Sequence, residues 1–306
     1  MTLIEQLAHL TTEAINPETV GIDVASTHEI VELLHRQDKI VADAVASELG
    51  YIAQAVDLIV DRFRSGGRLI YVGAGTSGRL GILDASEMPP TYGTDPELVQ
   101  GVIAGGQRAV FRSVEGAEDS REGGMQALEE LNCSAQDVVC GISASGRTPF
   151  VLGALEYGAR LRCGTIFIST NARETVKSYA QEVQVLICPE VGPEPITGST
   201  RMKSGTAQKM VLNMLTTASM VKLGKTYGNV MVDLQLTNQK LQERAKRMIM
   251  TITGAAYDDA SQLLERAGGH VKTALVMFAH QCSREEAHDR LERAGGIVRT
   301  AMEHNS

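Results

Sequence analysis

The chain has 306 residues, 43% of them apolar and 22% charged, and its 29 basic against 37 acidic residues leave a net charge of −8. That length suits one large domain with an appendage, or two domains, and the composition excludes a disordered chain. The acidic excess argues against broad nucleic-acid or anionic-membrane binding, so an anionic ligand has to be held by a local device. No run approaches the roughly 18 apolar residues of a membrane helix. The start, Met1-Thr2-Leu3-Ile4-Glu5-Gln6, has no basic n-region, so no signal peptide and a cytoplasmic setting are expected. Five cysteines (133, 140, 163, 188, 282) without CxxC spacing read as reduced thiols rather than a disulfide framework or a zinc site. None of the seven histidines lies between positions 36 and 269, which excludes a His-built zinc site or serine–histidine relay in the middle of the chain. Proton chemistry there falls to carboxylates, Lys or Tyr.

From His28 to Phe63 the apolar residues Ile40, Val41, Val45, Leu49, Ile52, Val56, Ile59, Val60 and Phe63 recur at helical spacing, and Ser65-Gly66-Gly67 ends the run. Residues 68–72 then read as a short buried strand, and similar runs follow at 99–103, 138–142, 165–168 and 183–187. Helical stretches at 80–87, 121–131 and 151–161 lie between them. Strands alternating with helices predict right-handed crossovers and an α/β fold with a doubly wound, parallel, five-stranded sheet of flavodoxin-like type, whose ligands bind at the carboxyl ends of the strands. Beyond a Gly- and Pro-rich loop at 190–199, long helices are expected at 202–223 and 236–252. In the tail, Leu264-Glu265-Arg266-Ala267-Gly268-Gly269 recurs 27 positions later as Leu291-Glu292-Arg293-Ala294-Gly295-Gly296. Two copies are too few for a solenoid, so the tail reads as a helical appendage with a packing or dimerisation role. The expected division is an N-terminal helical segment over 1–45, an α/β domain over 46–225 and a helical region over 226–306.

The first strand runs into Gly73-Ala74-Gly75-Thr76-Ser77-Gly78-Arg79-Leu80-Gly81, and ten of the thirty glycines fall between 66 and 106. Glycine permits positive φ and close backbone approach; the helix that follows offers unpaired N–H groups and a favourable dipole, and Thr76 and Ser77 add hydroxyls. As a dinucleotide fingerprint, Gly73-x-Gly75-x-x-Gly78 wants an acidic residue ending the next strand, and Ile103-Ala104-Gly105-Gly106 has none. As a nucleotide P-loop it has Arg79-Leu80 where Lys-Ser/Thr belongs. A tight turn that binds nothing is the plain alternative; the Thr76-Ser77 pair favours the phosphate of a small metabolite. The third strand leads to Ser143-Ala144-Ser145-Gly146-Arg147-Thr148, which misses the last glycine of a nucleophile elbow. Alone it reads as an N-cap at Ser145 or Thr148. Beside the first loop it suggests one anion gripped from two sides, and residues 188–200, ending Thr197-Gly198-Ser199-Thr200-Arg201, give a third polar loop. Lys203 and Lys209 read as phosphate-binding or helix-surface residues.

These loops, together with Ile82-Leu83-Asp84-Ala85-Ser86-Glu87, Val114-Glu115-Gly116-Ala117-Glu118-Asp119-Ser120 and residues 197–209, resemble the sugar-isomerase-type phosphosugar-binding domain and, within it, the N-acetylmuramic acid 6-phosphate etherase family. The resemblance runs through nearly the whole chain; the serine loops are shared with phosphosugar isomerases at large. Thr12-Glu13-Ala14-Ile15-Asn16 lacks the basic residue of many relatives, so no charge-pairing role is assigned there. The resemblance implies a 6-phosphorylated amino sugar with a D-lactyl ether at C3 as substrate, and D-lactate and N-acetylglucosamine 6-phosphate as products. It places the catalytic carboxylates on Glu87 as acid and Glu118 as base, with phosphosugar binding expected at Gly75, Thr76, Ser77, Gly78, Ser143, Ser145, Gly146, Thr148 and Ser199.

The residue inventory agrees with that chemistry. In the ring-opened sugar the C2 proton is acidified by the C1 aldehyde, and the ether oxygen on C3 lies β to it, so one base and one acid suffice for elimination, after which water adds back at C3. No redox cofactor, metal or covalent enzyme intermediate is required. A neutral acid near pH 7 needs burial or a like-charged neighbour, and Glu87, following Gly81-Ile82-Leu83, is the expected buried partner; Glu118 stands in an acidic loop with Glu115 and Asp119. An aldose–ketose isomerase and a non-catalytic sugar-phosphate sensor remain as alternatives. A symmetric dimer is expected, with no nucleic-acid or membrane partner.

Overall fold

The computed structural model describes residues 10–233, 236 and 239–303; the leader reading at Met1–Gln6 and the start of the helix expected at 236 touch residues outside this set. The described residues divide into two compact units, one within 1–86 and 96–216, the other within 87–95 and 217–306.

Along the chain, three 3-10 turns between Thr11 and Val24 precede helix α1, Thr27–Ala46, and helix α2, Leu49–Arg64. Ser26 and Glu29 form a reciprocal capping box that starts α1. The helical run expected from 28 to 63 is thus two helices. The break falls at Glu48, whose buried carboxylate accepts from the backbone N–H of Cys188 at 2.7 Å and pairs with Arg173. Then come β1 Leu69–Gly73, α3 Gly75–Tyr92, β2 Val99–Ile103, α4 Gly106–Phe111, α5 Arg121–Glu130, β3 Val138–Ile142, α6 Pro149–Arg160, β4 Gly164–Ile168, α7 Arg173–Tyr179, β5 Val185–Ile187 and α8 Lys203–Lys222. The sheet is parallel in the order β2-β1-β3-β4-β5, with Leu69 opposite both Val99 and Val138. This is the flavodoxin-like doubly wound arrangement expected from the strand–helix alternation. Strands β1, β3 and β4 are buried along their whole length, which is why they read as unbroken apolar runs. The strand order reverses between β1 and β3, and the loops leaving those two strands open the crevice in which such sheets hold ligands.

Two features lock this scaffold. At the entry end of the sheet, buried Asp137 accepts from the Arg68 guanidinium at 2.8 and 3.1 Å and from the N–H groups of Arg68 and Ser134, both at 2.9 Å. Burial alone pushes its carboxyl up, but these bonds overcome it and hold the group below its ordinary value. Helices α5 and α6 approach through glycines: a Cβ on Gly124 would lie 1.9 Å from the Phe150 carbonyl oxygen, and one on Gly153 would lie 2.1 Å from that of Arg121. Because the obstacle is backbone, Gly124→Ala is expected to cost about 3 kcal/mol, read as a lower urea midpoint at unchanged slope.

The second unit holds a short hairpin, β6 Thr226–Tyr227 with β7 Val230–Met231, and helices α9 Gln239–Thr253, α10 Tyr257–Arg266, α11 Val271–His280, α12 Arg284–Arg293 and α13 Val298–Glu303. The repeated hexapeptide is a structural repeat. Each copy ends a helix with Gly-Gly at positive φ, and the second glycine N–H returns to the leucine carbonyl, Gly269 to Leu264 at 2.9 Å and Gly296 to Leu291 at 2.8 Å. This is the Schellman way of closing a helix. Leu264, Val271, Leu275, Leu291 and Val298 share one core.

Candidate functional site

The first loop is closed by contacts only glycine allows. A Cβ on Gly73 would sit 2.6 Å from the Gly78 nitrogen, and one on Gly78 would sit 2.6 Å from Ile103 Cγ1. Gly75, at φ +52, has open space where its side chain would be, so the start of α3 is accessible to a ligand. Thr76 is half-buried and Ser77 buried. The Ser77 hydroxyl donates to Gln208 Oε1 on α8 at 2.9 Å, and Gln208 Nε2 is buried with no hydrogen-bond partner among the described residues.

In the second loop three hydroxyls converge: Ser143 Oγ lies 2.8 Å from Thr148 Oγ1 and 3.3 Å from Ser145 Oγ. Gly146, at φ +73, turns its N–H onto Ser143 Oγ at 3.1 Å. Thr148 does occupy the N-cap of α6, but its side chain caps nothing; it faces Ser143, so plain capping does not account for it.

The first turn of α8 joins the loops. A Cβ on Gly205 would touch Thr76 Cγ2 at 3.4 Å, and Ser204 Oγ accepts from Thr170 Oγ1 at 2.9 Å, which is also 3.2 Å from the Ala144 carbonyl. Glu194, fully buried in the third loop, receives the N–H groups of Lys203 and Ser204, both at 2.9 Å. Ser199 is half-buried beside Gly198, which turns at φ +75. Lys203 is not on the helix surface: it is buried, with Nζ donating to Gln37 Oε1 at 2.8 Å. Lys209 donates to Asn213, one turn along the same helix.

The segment 10–24, given no role by its sequence, lies over these loops. Thr11 N–H donates to Asn171 Oδ1 at 2.8 Å, Asn16 Nδ2 to Gln37 Oε1 at 2.8 Å and to the Pro193 carbonyl at 3.0 Å, and Thr19 Oγ1 to the Pro195 carbonyl at 2.8 Å.

Glu118 sits in the 3-10 turn Ala117–Asp119, entered through Gly116 at φ +72. It is exposed and lines a cavity of about 210 Å³ together with Gly75, Arg79, Ser113 and Glu115. Glu87 does not line that cavity. Nor is it the buried residue expected: the buried positions of α3 around it are Gly81, Asp84, Ala85 and Met88, and Leu83, Ser86 and Glu87 fall on the exposed face. Buried Asp84 instead accepts from Tyr71 Oη at 3.0 Å, and burial raises its carboxyl above the ordinary value. Arg79, which lines the cavity, and Gln208 and Ser204, which join α8 to the loops, are not distinguished by the sequence. Their only signal was membership of the matched segments, because helical spacing does not say which neighbour a side chain meets.

The family model of the glucokinase regulatory protein N-terminal SIS domain matches residues 51–159. The phosphoheptose isomerase GmhA of Neisseria gonorrhoeae superposes with a TM-score of 0.48 at 16% identity, over 63% of this chain and 99% of its own. The N-acetylmuramic acid 6-phosphate etherase of Salinibacter ruber is 57% identical over 276 residues, 90% of this chain and 88% of the relative. Those of Symbiobacterium thermophilum and Clostridium beijerinckii are 57% and 51% identical, over 89% and 92% of this chain and 89% and 91% of their own. With more than half of the aligned residues identical over about nine-tenths of both chains, the chain belongs to the N-acetylmuramic acid 6-phosphate etherase family.

Proposed function

We propose that the chain is a carbon–oxygen lyase that cleaves the D-lactyl ether of N-acetylmuramic acid 6-phosphate in the recycling of cell-wall amino sugar. The observation that carries the reading is the cavity shared by the open start of α3 at Gly75 and the carboxylate of Glu118, in a chain of this family. The hydroxyls of Thr76, Ser77, Ser143, Ser145, Thr148 and Ser199, with the backbone at Gly75, Gly78 and Gly146, hold the phosphosugar. Glu118 takes the C2 proton of the ring-opened aldehyde; the electron pair forms the C2–C3 double bond, the C3–O bond breaks, and Glu87 gives its proton to the leaving lactate oxygen. Water then adds at C3 and a proton returns to C2, leaving N-acetylglucosamine 6-phosphate. Carbonyl acidity supplies the activation, so the two carboxyl groups carry every proton.

The reading includes a symmetric dimer; the exposed face of α3 carrying Leu83, 43% exposed, with Ser86 and Glu87 is what such a contact would cover. It also includes a cytoplasmic setting; among the described residues no helix is long and apolar enough to cross a membrane. The test is to incubate the pure protein with N-acetylmuramic acid 6-phosphate. Equal amounts of D-lactate and N-acetylglucosamine 6-phosphate are expected. A ketose phosphate, or binding without turnover, overturns the reading in favour of an isomerase or a sensor.

A further inference from the structure

Arg79, in the second turn of α3, lines the same cavity as Glu118. Its Nε donates to the Val110 carbonyl at 2.9 Å and its Nη2 to the Ala109 carbonyl at 2.8 Å. These bonds seat the guanidinium on the last carbonyls of α4 and fix its plane, while using only part of its five N–H donors. None of the ion pairs formed among the described residues involves Arg79. The cavity's other charged residues, Glu115 and Glu118, are both acidic. A half-buried cation without a carboxylate partner therefore faces a space that an anionic group can enter only with its help.

On the function proposed above, on which this inference rests, the substrate carries two anionic groups, the 6-phosphate and the lactyl carboxylate. Glu118, as base, fixes C2 of the sugar in this cavity. The lactyl group hangs on C3, the next carbon, whereas the phosphate is four carbons from C2. We propose that Arg79 binds the lactyl carboxylate and is the residue by which the site distinguishes the lactyl ether from a phosphosugar without one. Its charge also offsets the repulsion between that carboxylate and the negative charge growing on the adjacent ether oxygen as the C3–O bond breaks, so its loss acts on kcat as well as KM.

The test follows release of N-acetylglucosamine 6-phosphate from the natural acid and from its lactamide analogue, whose carboxylate is replaced by a neutral primary amide, in the full-length parent, Arg79→Met and Arg79→Lys. The parent is expected to prefer the acid by about 100-fold in kcat/KM, Arg79→Met to lose the preference, and Arg79→Lys to keep part of it. Because the ratio is taken within each protein, a reduced folded fraction cancels. Inhibition by N-acetylglucosamine 6-phosphate, which has the phosphate but no lactyl group, is expected to be the same in parent and variants. A parent indifferent to acid and amide, or an Arg79→Met that retains the preference, overturns the assignment. So does product inhibition that weakens about tenfold in Arg79→Met, which puts Arg79 on the phosphate. A parent that releases no product from the acid overturns the proposed function itself, so the two failures are told apart.

Discussion

Glu118→Gln is expected to release D-lactate from N-acetylmuramic acid 6-phosphate about 10³-fold more slowly than the parent, the loss typical of removing a positioned general base. Glu87→Gln is expected to be slowed as much, because elimination needs an acid at the ether oxygen as well. The two are separated by exchange at C2. In deuterated water Glu87→Gln should still wash deuterium into C2 of recovered substrate, since the base remains, whereas Glu118→Gln should leave C2 protonated. Folding does not confuse the comparison. Both glutamates are exposed, and among the described residues neither side chain takes part in a hydrogen bond or ion pair, so an isosteric amide shifts the stability of the folded chain by no more than about 0.5 kcal/mol. Undiminished lactate release in either variant removes its assigned role, and C2 exchange surviving in Glu118→Gln moves the base elsewhere.

How far the site could be read in advance follows from what kind of pattern each part leaves. The central strands announce themselves because they are buried on both faces, so 138–142 reads as an unbroken apolar run. Their loops follow from the strand–helix alternation, and the glycines of 73–81 mark a turn whose closeness the structure explains by the Gly73–Gly78 contact. Helix phase is where the reading goes astray. Three residues, Gly81-Ile82-Leu83, do not define which face is inward, and the burial of Asp84, Ala85 and Met88 turns Leu83 and Glu87 outward. The hairpin of β6 and β7 has two residues per strand, too few for a period. The segment 10–24 docks through Asn171, Pro193 and Pro195, more than 150 positions away, and local spacing carries no trace of such partners. Arg79 and Gln208 belong to the same class: their roles lie in what they meet across the fold.

Glu194→Ala is expected to cost about 3–5 kcal/mol, the penalty for breaking a buried charged cluster from one side, seen as a lowered urea midpoint. Glu194 is 0% exposed and holds the first two N–H groups of α8. Without it those donors are unpaired, and the buried Lys203 ammonium loses the carboxylate that most favours its charge. The sign of the pH effect follows from Lys203. Burial pushes its ammonium below the ordinary value of 10.5, against the pull of Glu194, Glu18 and Asp38. Between the folded value and 10.5 the unfolded chain therefore holds more protons on this lysine than the folded one, so its contribution to stability improves as pH rises through that window. The parent should gain on Lys203→Met as pH is raised from neutral toward about 10, and Glu194→Ala should show the same gain beginning at lower pH. Removing both charges together, as Glu194→Ala with Lys203→Met, is expected to cost less than the sum of the two single changes, because no buried charge is then left alone. Gly205 and Gln208 reach the glycine loop, and Ser204 reaches the serine loop through Thr170, so Glu194→Ala should also raise KM for the phosphosugar. A variant whose midpoint and KM both match the parent's overturns the view that this buried carboxylate sets the position of the turn.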